Sequence, residues 1–507
     1  MILMFSGSLS DGALGLAAQV SERLRDRVDN LEVLAWMFTE DSETPSEGRI
    51  RDLNWSTFDP SSVRTTGFSR ESLVSYRNLV SQDDYPAFFA LSLKLFNRRD
   101  FTGTFRLLER EVLLQHATLT ALDYILTSKP ELVVFPVTPH LLMPSVARYV
   151  CRFLRIPILE LKPCPLAPAV FPFLIDDHGE RLIDVPPGFS VGSEISEIAV
   201  RELAALASFK DPMYMQLQRR RDLELKNRAS RMKSVMRSFR WLKAVRYRQA
   251  IDFSGFSESS SLFFRALRIF LTRKLQLELR NKVQSLNTSF STPKNYCLFA
   301  LHYEPERTSL PDGLPILFQP DAVAIASAMI PEDTTLVVKE HYSQVSSALR
   351  GFLGRSPATY ELLASYPNVQ FASVDGYLSD LVERAKCVFT LTGTIAIESA
   401  LKGVPVGYFG NPWWDGMPGT VRVEATTGYD EILAGGAPDP SAVLSFLKER
   451  LQLHAIPGLG SESPQTLERR LGTLPDGLQE DEARSLAAVI HALLSSLEIS
   501  AEPAETR

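Results

Sequence analysis

Apolar positions fall into short runs separated by amphipathic stretches, and this alternation predicts strands and helices in turn. Met1 to Phe5 reads as a strand, Ala13 to Val28 as an amphipathic helix after a Ser/Gly turn, and Leu31 to Trp36 as a second strand, so the chain opens on an α/β layer. From Thr39 to about Ser69 the sequence is polar and turn-rich. A long helical zone then runs through Phe105 to Leu126, and Lys129-Pro130 ends it. Glu131 to Val137 is a Val-rich run, followed by Thr138-Pro139-His140, a helix from Leu142 to Leu154 and a strand from Ile156 to Leu161. Strand, loop, helix, strand is the pattern of a buried parallel sheet. Ligands of such sheets collect at the carboxyl ends of the strands, where His140 would sit, either packing locally or taking part in chemistry.

Glu197 to Lys282 lacks strand patterning and predicts helices. One stripe is Met232, Val235, Met236, Phe239 and Leu242 beside basic residues and Trp241, and a second basic amphipathic stretch runs from Phe263 to Lys282. The second α/β region is the clearest. Strands are predicted at Asn295 to Leu301, Thr334 to Lys339, Val369 to Ala372, Cys387 to Leu391 and Val404 to Phe409. Helices are predicted between them at Ala322 to Met329, Ser346 to Leu353, Thr359 to Ser365, Leu378 to Arg384 and Ile395 to Leu401. Alternation of this kind makes a doubly wound parallel sheet. After Pro412 the pattern loosens until a last helix, Glu480 to Leu497.

Composition narrows the class. The chain has 507 residues, 45% of them apolar and 22% charged, enough for two domains and connecting helices rather than a disordered polymer. Met1 to Phe5 lacks a basic leader, and elsewhere charge interrupts the apolar runs well short of a spanning length, so a cytoplasmic protein without a transmembrane helix is expected. Cys151, Cys164, Cys297 and Cys387 form no C-x-x-C pair and read as buried thiols; no metal site is expected. Net charge is only −6, yet Arg219 to Arg248 sets twelve Lys or Arg against Asp222 and Glu224. Such a block either meets an anionic membrane face or polymer or forms a solvated helix face.

Candidate chemistry gathers at the strand ends of the second region. Thr392-Gly393-Thr394 puts a glycine and two hydroxyls at a predicted helix N-terminus, where unpaired N–H groups favour phosphate and Thr394 could cap the helix. Glu398, one helical turn on, either reaches a ribose hydroxyl or is a helix-face acid. Lys339 and His341, two apart on an emerging strand, share a face and could converge on phosphate oxygens. His302, Glu306 and Arg307, in the loop from Leu301 to Thr308, supply either acid–base chemistry and a grip on sugar and phosphate or a set of local ion pairs. Trp413 and Trp414 either stack on a sugar or pack beneath a loop.

At these residues the chain resembles the capsule polysaccharide biosynthesis family, through Leu301 to Thr308, Lys339-Glu340-His341, the Thr392 to Glu398 turn and Pro139-His140; Tyr342 stands where that family has proline. The resemblance implies a GT-B-like α/β fold, two Rossmann-like doubly wound domains facing a cleft with a helical connecting region. The expected partition is 1–200 as an acceptor-side domain, 201–290 as basic helical connection, 291–455 as nucleotide-sugar-binding domain and 456–507 as a C-terminal helix and polar tail. The implied activity is a glycosyltransferase acting from a nucleotide-sugar donor, with a CMP-sugar one candidate and no further cofactor, on a capsule or other surface polysaccharide, lipid-linked or free. Lys339, His341, Thr392, Gly393, Thr394, Glu398 and Arg307 would hold the donor, and Glu306, His302 and His140 are the catalytic candidates. Contact with the inner membrane face would run through 217–282, with no nucleic-acid partner. A nucleotide-sugar epimerase of the same fold and a non-catalytic capsule assembly or export factor are the alternatives.

Overall fold

The computed structural model describes residues 2–8, 11–25, 27–38, 54–58, 67–99, 106–208, 213–225, 262–286, 290–347, 349–376, 378–460 and 462–501. The apolar stripe Met232 to Leu242, Trp241 and most of the basic block lie outside the described residues.

The first sheet is built on five parallel strands, β1 (Ile2–Ser8), β2 (Glu32–Phe38), β3 (Asn54–Phe58), β4 (Leu132–Phe135) and β5 (Ile158–Pro163), in the order β5-β4-β1-β2-β3. The runs of β1, β2 and β4 are largely apolar at successive positions because both faces are covered. Leu3, Phe5, Val33 and Val134 pack with the helices Asp11–Arg25 and Leu478–Ala501, while Met4, Leu34, Val133 and Phe135 pack with Leu107–Ser128 and Leu142–Phe153. The helix Leu107–Ser128 stops at Lys129 in the left-handed conformation, φ 46°, just before Pro130.

Two expectations for this half are corrected. Strand β3 lies inside the stretch read as turn-rich; its sequence Asn-Trp-Ser-Thr-Phe gives a half-polar edge strand with no apolar run to betray it. The sheet is also not purely parallel. Strands β6 (Ala169–Asp176) and β7 (Gly179–Leu182) extend the β5 edge antiparallel, and the short strand Ile456–Pro457 adds antiparallel to β6. Pro172 in the middle of β6 argues against a strand by sequence alone.

The second sheet is wholly parallel, with β8 (Tyr296–Ala300), β9 (Thr335–Lys339), β10 (Val369–Phe371), β11 (Val388–Thr390), β12 (Val406–Tyr408) and β13 (Thr420–Arg422) in the order β10-β9-β8-β11-β12-β13. Strand β13 adds to the five strands expected. The winding reverses between β8 and β11, which opens a crevice at their carboxyl ends. The expected helix Ser346 to Leu353 is replaced by one turn, Tyr342–Val345, and a 3-10 turn, Gly351–Leu353. Between them the side-chain amide of Gln344 donates to the carbonyls of Glu304 (3.1 Å) and Gly351 (2.6 Å), so a buried polar knot competes with helix formation. Gly351 is required there, because a Cβ would lie 1.9 Å from the Gln344 carbonyl oxygen.

The two sheets are laced together. The helix Ser193–Ala207 packs on Ile395–Ala400 and Pro440–His454, and Phe171 and Phe173 of β6 share an apolar cluster with Tyr296 and Leu298. The helix Leu478–Ala501 returns to the first sheet and lies along Asp11–Arg25. All four cysteines are free and buried.

Glu482 on that last helix is 5% exposed and accepts the Leu459 N–H at 3.1 Å. Burial pushes its carboxyl up to about 7 from an ordinary 4.5. Between those values the folded chain keeps a proton that the unfolded chain releases, so this contribution to stability is complete below about pH 4.5 and lost as pH rises through 7. Glu482→Gln should therefore stabilise the protein at pH 8 by on the order of 2 kcal/mol and change little at pH 5. Urea unfolding at the two pH values checks this, and an equal effect at both would refute it.

Candidate functional site

The carboxyl ends of β8, β9 and β11 open onto a cavity of about 450 Å³, closed on the far side by Lys162 to Pro165 at the end of β5 and by Met215 and Arg219 of the helix Met213–Leu225. Nine of the ten candidate residues line it: Glu306, His302 and Arg307 after β8, Lys339 and His341 after β9, and Thr392, Gly393, Thr394 and Glu398 after β11. His140 does not. It lies beyond β4 as expected, but its Nδ1 is 2.9 Å from the Thr138 carbonyl oxygen and burial pushes the imidazole down to about 4.

Within the cavity wall the residues divide into struts and reachable groups. His302 is 8% exposed, and its Nε2 accepts the Thr392 N–H at 3.2 Å and lies 3.1 Å from the Thr390 hydroxyl. Burial, aided by His341 and Arg355, pushes this ring down to about 3, so it is neutral with its proton on Nδ1. Its free lone pair is engaged, and it ties the β8 loop to the β11 turn. Lys339 is likewise a strut, donating through Nζ to the carbonyls of Ser373 (2.6 Å) and Val374 (3.1 Å) and so fastening the end of β9 to the loop after β10.

Glu340, between Lys339 and His341, is wholly structural. It accepts from Arg355 and from the Tyr360 hydroxyl (2.5 Å), and its other oxygen takes the His341 N–H at 2.6 Å. Arg355, 3% exposed, also donates to the His302 carbonyl at 2.5 Å and pairs with Glu304 at 3.4 Å. This network holds His341 at the wall. The Nδ1 of His341 accepts the Ser343 N–H at 3.2 Å, which leaves the proton of the neutral ring on Nε2.

At the β11 turn, Thr392 donates its hydroxyl to the Thr308 carbonyl at 2.6 Å. The backbone N–H groups of Gly393 and Thr394 stand outside these bonds. Thr394 takes the N-cap position as expected, but its side chain caps no N–H: its backbone is helical and its hydroxyl donates to Glu398 at 3.3 Å. The helix Ile395–Ala400 has only six residues, so an anion at this turn would meet individual N–H donors rather than a long dipole. Burial pushes the Glu398 carboxyl up to about 7, against the pull of the Thr394 hydroxyl. Glu306 opens to the cavity while ringed by protein; burial raises its carboxyl, opposed by Thr308, Arg307 and Arg98.

Of the two tryptophans, Trp413 borders the cavity and stacks on Phe171 with ring centroids 5.0 Å apart, whereas Trp414 is fully buried against Tyr408. Sequence reasoning missed Arg98, which donates to the carbonyls of His140, Glu306 (2.8 Å) and Leu310 (2.6 Å) and so staples the β4 and β8 loops together. It also missed Lys162, which donates to Glu180 (2.6 Å) and the Asn411 carbonyl (3.3 Å). A signal existed: Glu160 and Lys162 alternate within an otherwise apolar strand and therefore share one face. Asp312, Arg219, Glu462 and Arg470 complete the charged lining and carried no comparable signal.

No family model and no curated protein matches the chain. Among solved structures it is similar to the KpsC β-Kdo 2,7-transferase of Thermosulfurimonas dismutans, with 11% identity, a TM-score of 0.26 and coverage of 68% of this chain and 96% of that one. It is also similar to the UDP-GlcNAc 2-epimerase of Methanocaldococcus jannaschii (11%, TM-score 0.20, coverage 92% and 99%) and to the wall teichoic acid polymerase TagF (11%, TM-score 0.21, coverage 98% and 90%). Similarities this remote leave the function to be decided by the site itself.

Proposed function

We propose that this protein is a glycosyltransferase of GT-B-like architecture, moving a sugar from a nucleotide-sugar donor to a capsule or other surface polysaccharide. One observation supports the reading above all: three strand ends at the switch point of a parallel sheet bring hydroxyls, His341, Arg307 and two carboxyls of raised proton affinity to a cavity of about 450 Å³ that the other sheet closes. Nucleotide-sugar chemistry is largely positioning plus stabilisation of a phosphate leaving group, and this wall offers both. In this reading Gly393, Thr394, His341 and Arg307 meet the phosphates, and Lys339 and Thr392 hold the loops that present them. Glu398, its proton affinity raised by burial, bonds a ribose or sugar hydroxyl, and Glu306 is the acid–base group. The second sheet is the donor side and the first the acceptor side.

The acceptor is read as lipid-linked, which would put the work at the inner membrane face. Among the described residues no helix is long and apolar enough to cross a membrane. Leu217, Leu223, Leu271 and Leu275 are exposed beside the ion pairs Arg220–Glu224 and Lys274–Glu278, and these leucines suit peripheral contact with a membrane surface.

A thermal-shift panel of CMP, UDP, GDP and their sugars tests the reading. A true ligand at about 100 times its Kd should add about 2.7 kcal/mol of apparent stability. If none of the panel shifts the transition, the transferase reading fails; conversion of a donor to its isomer without acceptor would replace it with epimerisation.

A further inference from the structure

A second cavity, of about 270 Å³, lies at the other end of β5 from the cleft. Arg155 and Ile156, just before β5, line it, whereas Lys162 and Pro163 at the end of that strand border the cleft. The length of the strand puts the two openings about 20 Å apart. The walls come from three places: the end of the helix Leu142–Phe153 with the turn after it, the hairpin turn after β6, and the link between the helices Arg70–Val80 and Tyr85–Arg99. The helix end brings Arg152 and Arg155 close together, since the Arg155 N–H donates to the Arg152 carbonyl at 3.1 Å.

Part of the polar lining is engaged within the protein. Asp84 accepts the Tyr149 hydroxyl at 2.6 Å, and Asp176 pairs with Arg181 at 2.7 Å and takes the His178 N–H at 2.9 Å. Arg152, Arg155 and Asp177 differ. They are exposed at the rim, and among the described residues their side chains have no hydrogen-bond or ion-pair partner. Gln82 donates its side-chain nitrogen to the Asn78 carbonyl at 3.0 Å, which leaves its side-chain oxygen as an acceptor. Phe153, Ile156 and Ile175 supply the apolar part of the lining.

Two cations, one carboxylate and an amide oxygen beside an apolar surface select among ligands. A phosphate monoester, with a charge of about −1.5 to −2, would satisfy the arginines but sit among three carboxylates, Asp84, Asp176 and Asp177. A single carboxylate with hydroxyls near it suits the lining better, because the anion meets two guanidiniums while the hydroxyls donate to Asp177 and Gln82. Single ion contacts at an exposed rim contribute little, so a ligand held here needs many contacts at once. A sugar ring offers several hydroxyls and an apolar face, and the open rim lets a chain continue beyond the unit bound.

We propose that this cavity is a carbohydrate-binding site for an acidic sugar unit, with the sugar carboxylate on Arg152 and Arg155 and its hydroxyls on Asp177 and Gln82. The assignment rests on the reading of the acceptor as a surface polysaccharide, and it gives the growing chain a second hold remote from the cleft. Two linked sites raise the apparent affinity for a long chain over that for a short one.

Calorimetric titration of the full chain with a galacturonate trimer, a hyaluronan tetrasaccharide, maltotriose, inorganic phosphate and glutamate is the test. At least one of the two acidic oligosaccharides should bind about tenfold more tightly than maltotriose, phosphate or glutamate. Arg152→Ala combined with Arg155→Ala should weaken that binding about tenfold or more, and Asp177→Asn, which keeps an acceptor oxygen, should weaken it less. All these residues are exposed, so melting temperature and nucleotide-induced thermal shifts should stay unchanged in both variants. Binding of neither acidic oligosaccharide, equal or tighter binding of maltotriose, phosphate or glutamate, or unaltered binding by the double variant overturns the site. A chain that takes nucleotide sugars but no acidic oligosaccharide loses this site alone. One that takes the oligosaccharide through Arg152 and Arg155 but no nucleotide sugar keeps the site and loses the transfer reading.

Discussion

Arg355→Met should destabilise the protein by about 3–5 kcal/mol, the cost of stranding a buried partner charge. Arg355 is 3% exposed, and it faces Glu340 and Glu304, themselves 2% and 5% exposed. Burial alone would lower its affinity for the proton, but Glu340, Tyr360 and Glu304 together hold the guanidinium more firmly charged than usual. Methionine fills much of the same space without the charge, so the loss measures the stranded carboxylates rather than a cavity. The damage should reach function too, because Arg355 also holds the His302 carbonyl and, through Glu340, the His341 backbone. Pairing Arg355→Met with Glu340→Gln should return a substantial part of the stability, since neutralising one carboxylate removes part of the penalty. Urea unfolding of the two single variants and the double gives the coupling. Additive effects would show that the network contributes packing only.

Strand positions and strand ends in the second half were legible because they depend on local chemistry. Short apolar runs closed by His302, Lys339 and Thr392 have the pattern of buried parallel strands with polar ends, and parallel sheets bind ligands at those ends. What each end residue does was not legible, because it depends on partners far away in sequence. Nothing near Lys339 announces that its ammonium will meet the carbonyls of Ser373 and Val374, and nothing near His302 announces that its Nε2 will take the Thr392 N–H. The same applies to His140, correctly placed at the end of β4 but turned onto its own loop. The antiparallel edge stayed hidden for a different reason, since the proline that forbids a central strand is tolerated in β6.

Gly393→Val should lower CMP or UDP affinity at least tenfold, on the order of 1.5–3 kcal/mol, which is what a lost hydrogen bond to a charged group amounts to. A Cβ built on Gly393 would lie 3.0 Å from the Thr390 hydroxyl and 3.2 Å from His302 Nε2, and valine adds two methyl groups beyond it. Neither neighbour can retreat. Thr390 is fully buried in β11, and His302 is 8% exposed and held by the Gln319 side chain at its backbone and by Arg355 at its carbonyl. The turn must therefore swing away from the β8 loop, carrying the Gly393 and Thr394 N–H groups off the positions from which they would meet a phosphate. Some loss of stability should accompany this, about 1–3 kcal/mol for an overpacked site, so unfolding without nucleotide has to be measured alongside binding. Gly393→Ala, with only the Cβ to accommodate, should fall between. If Gly393→Val binds CMP and UDP as tightly as the unaltered chain while its stability drops as expected, the turn has moved without consequence, and the phosphates lie elsewhere in the cavity.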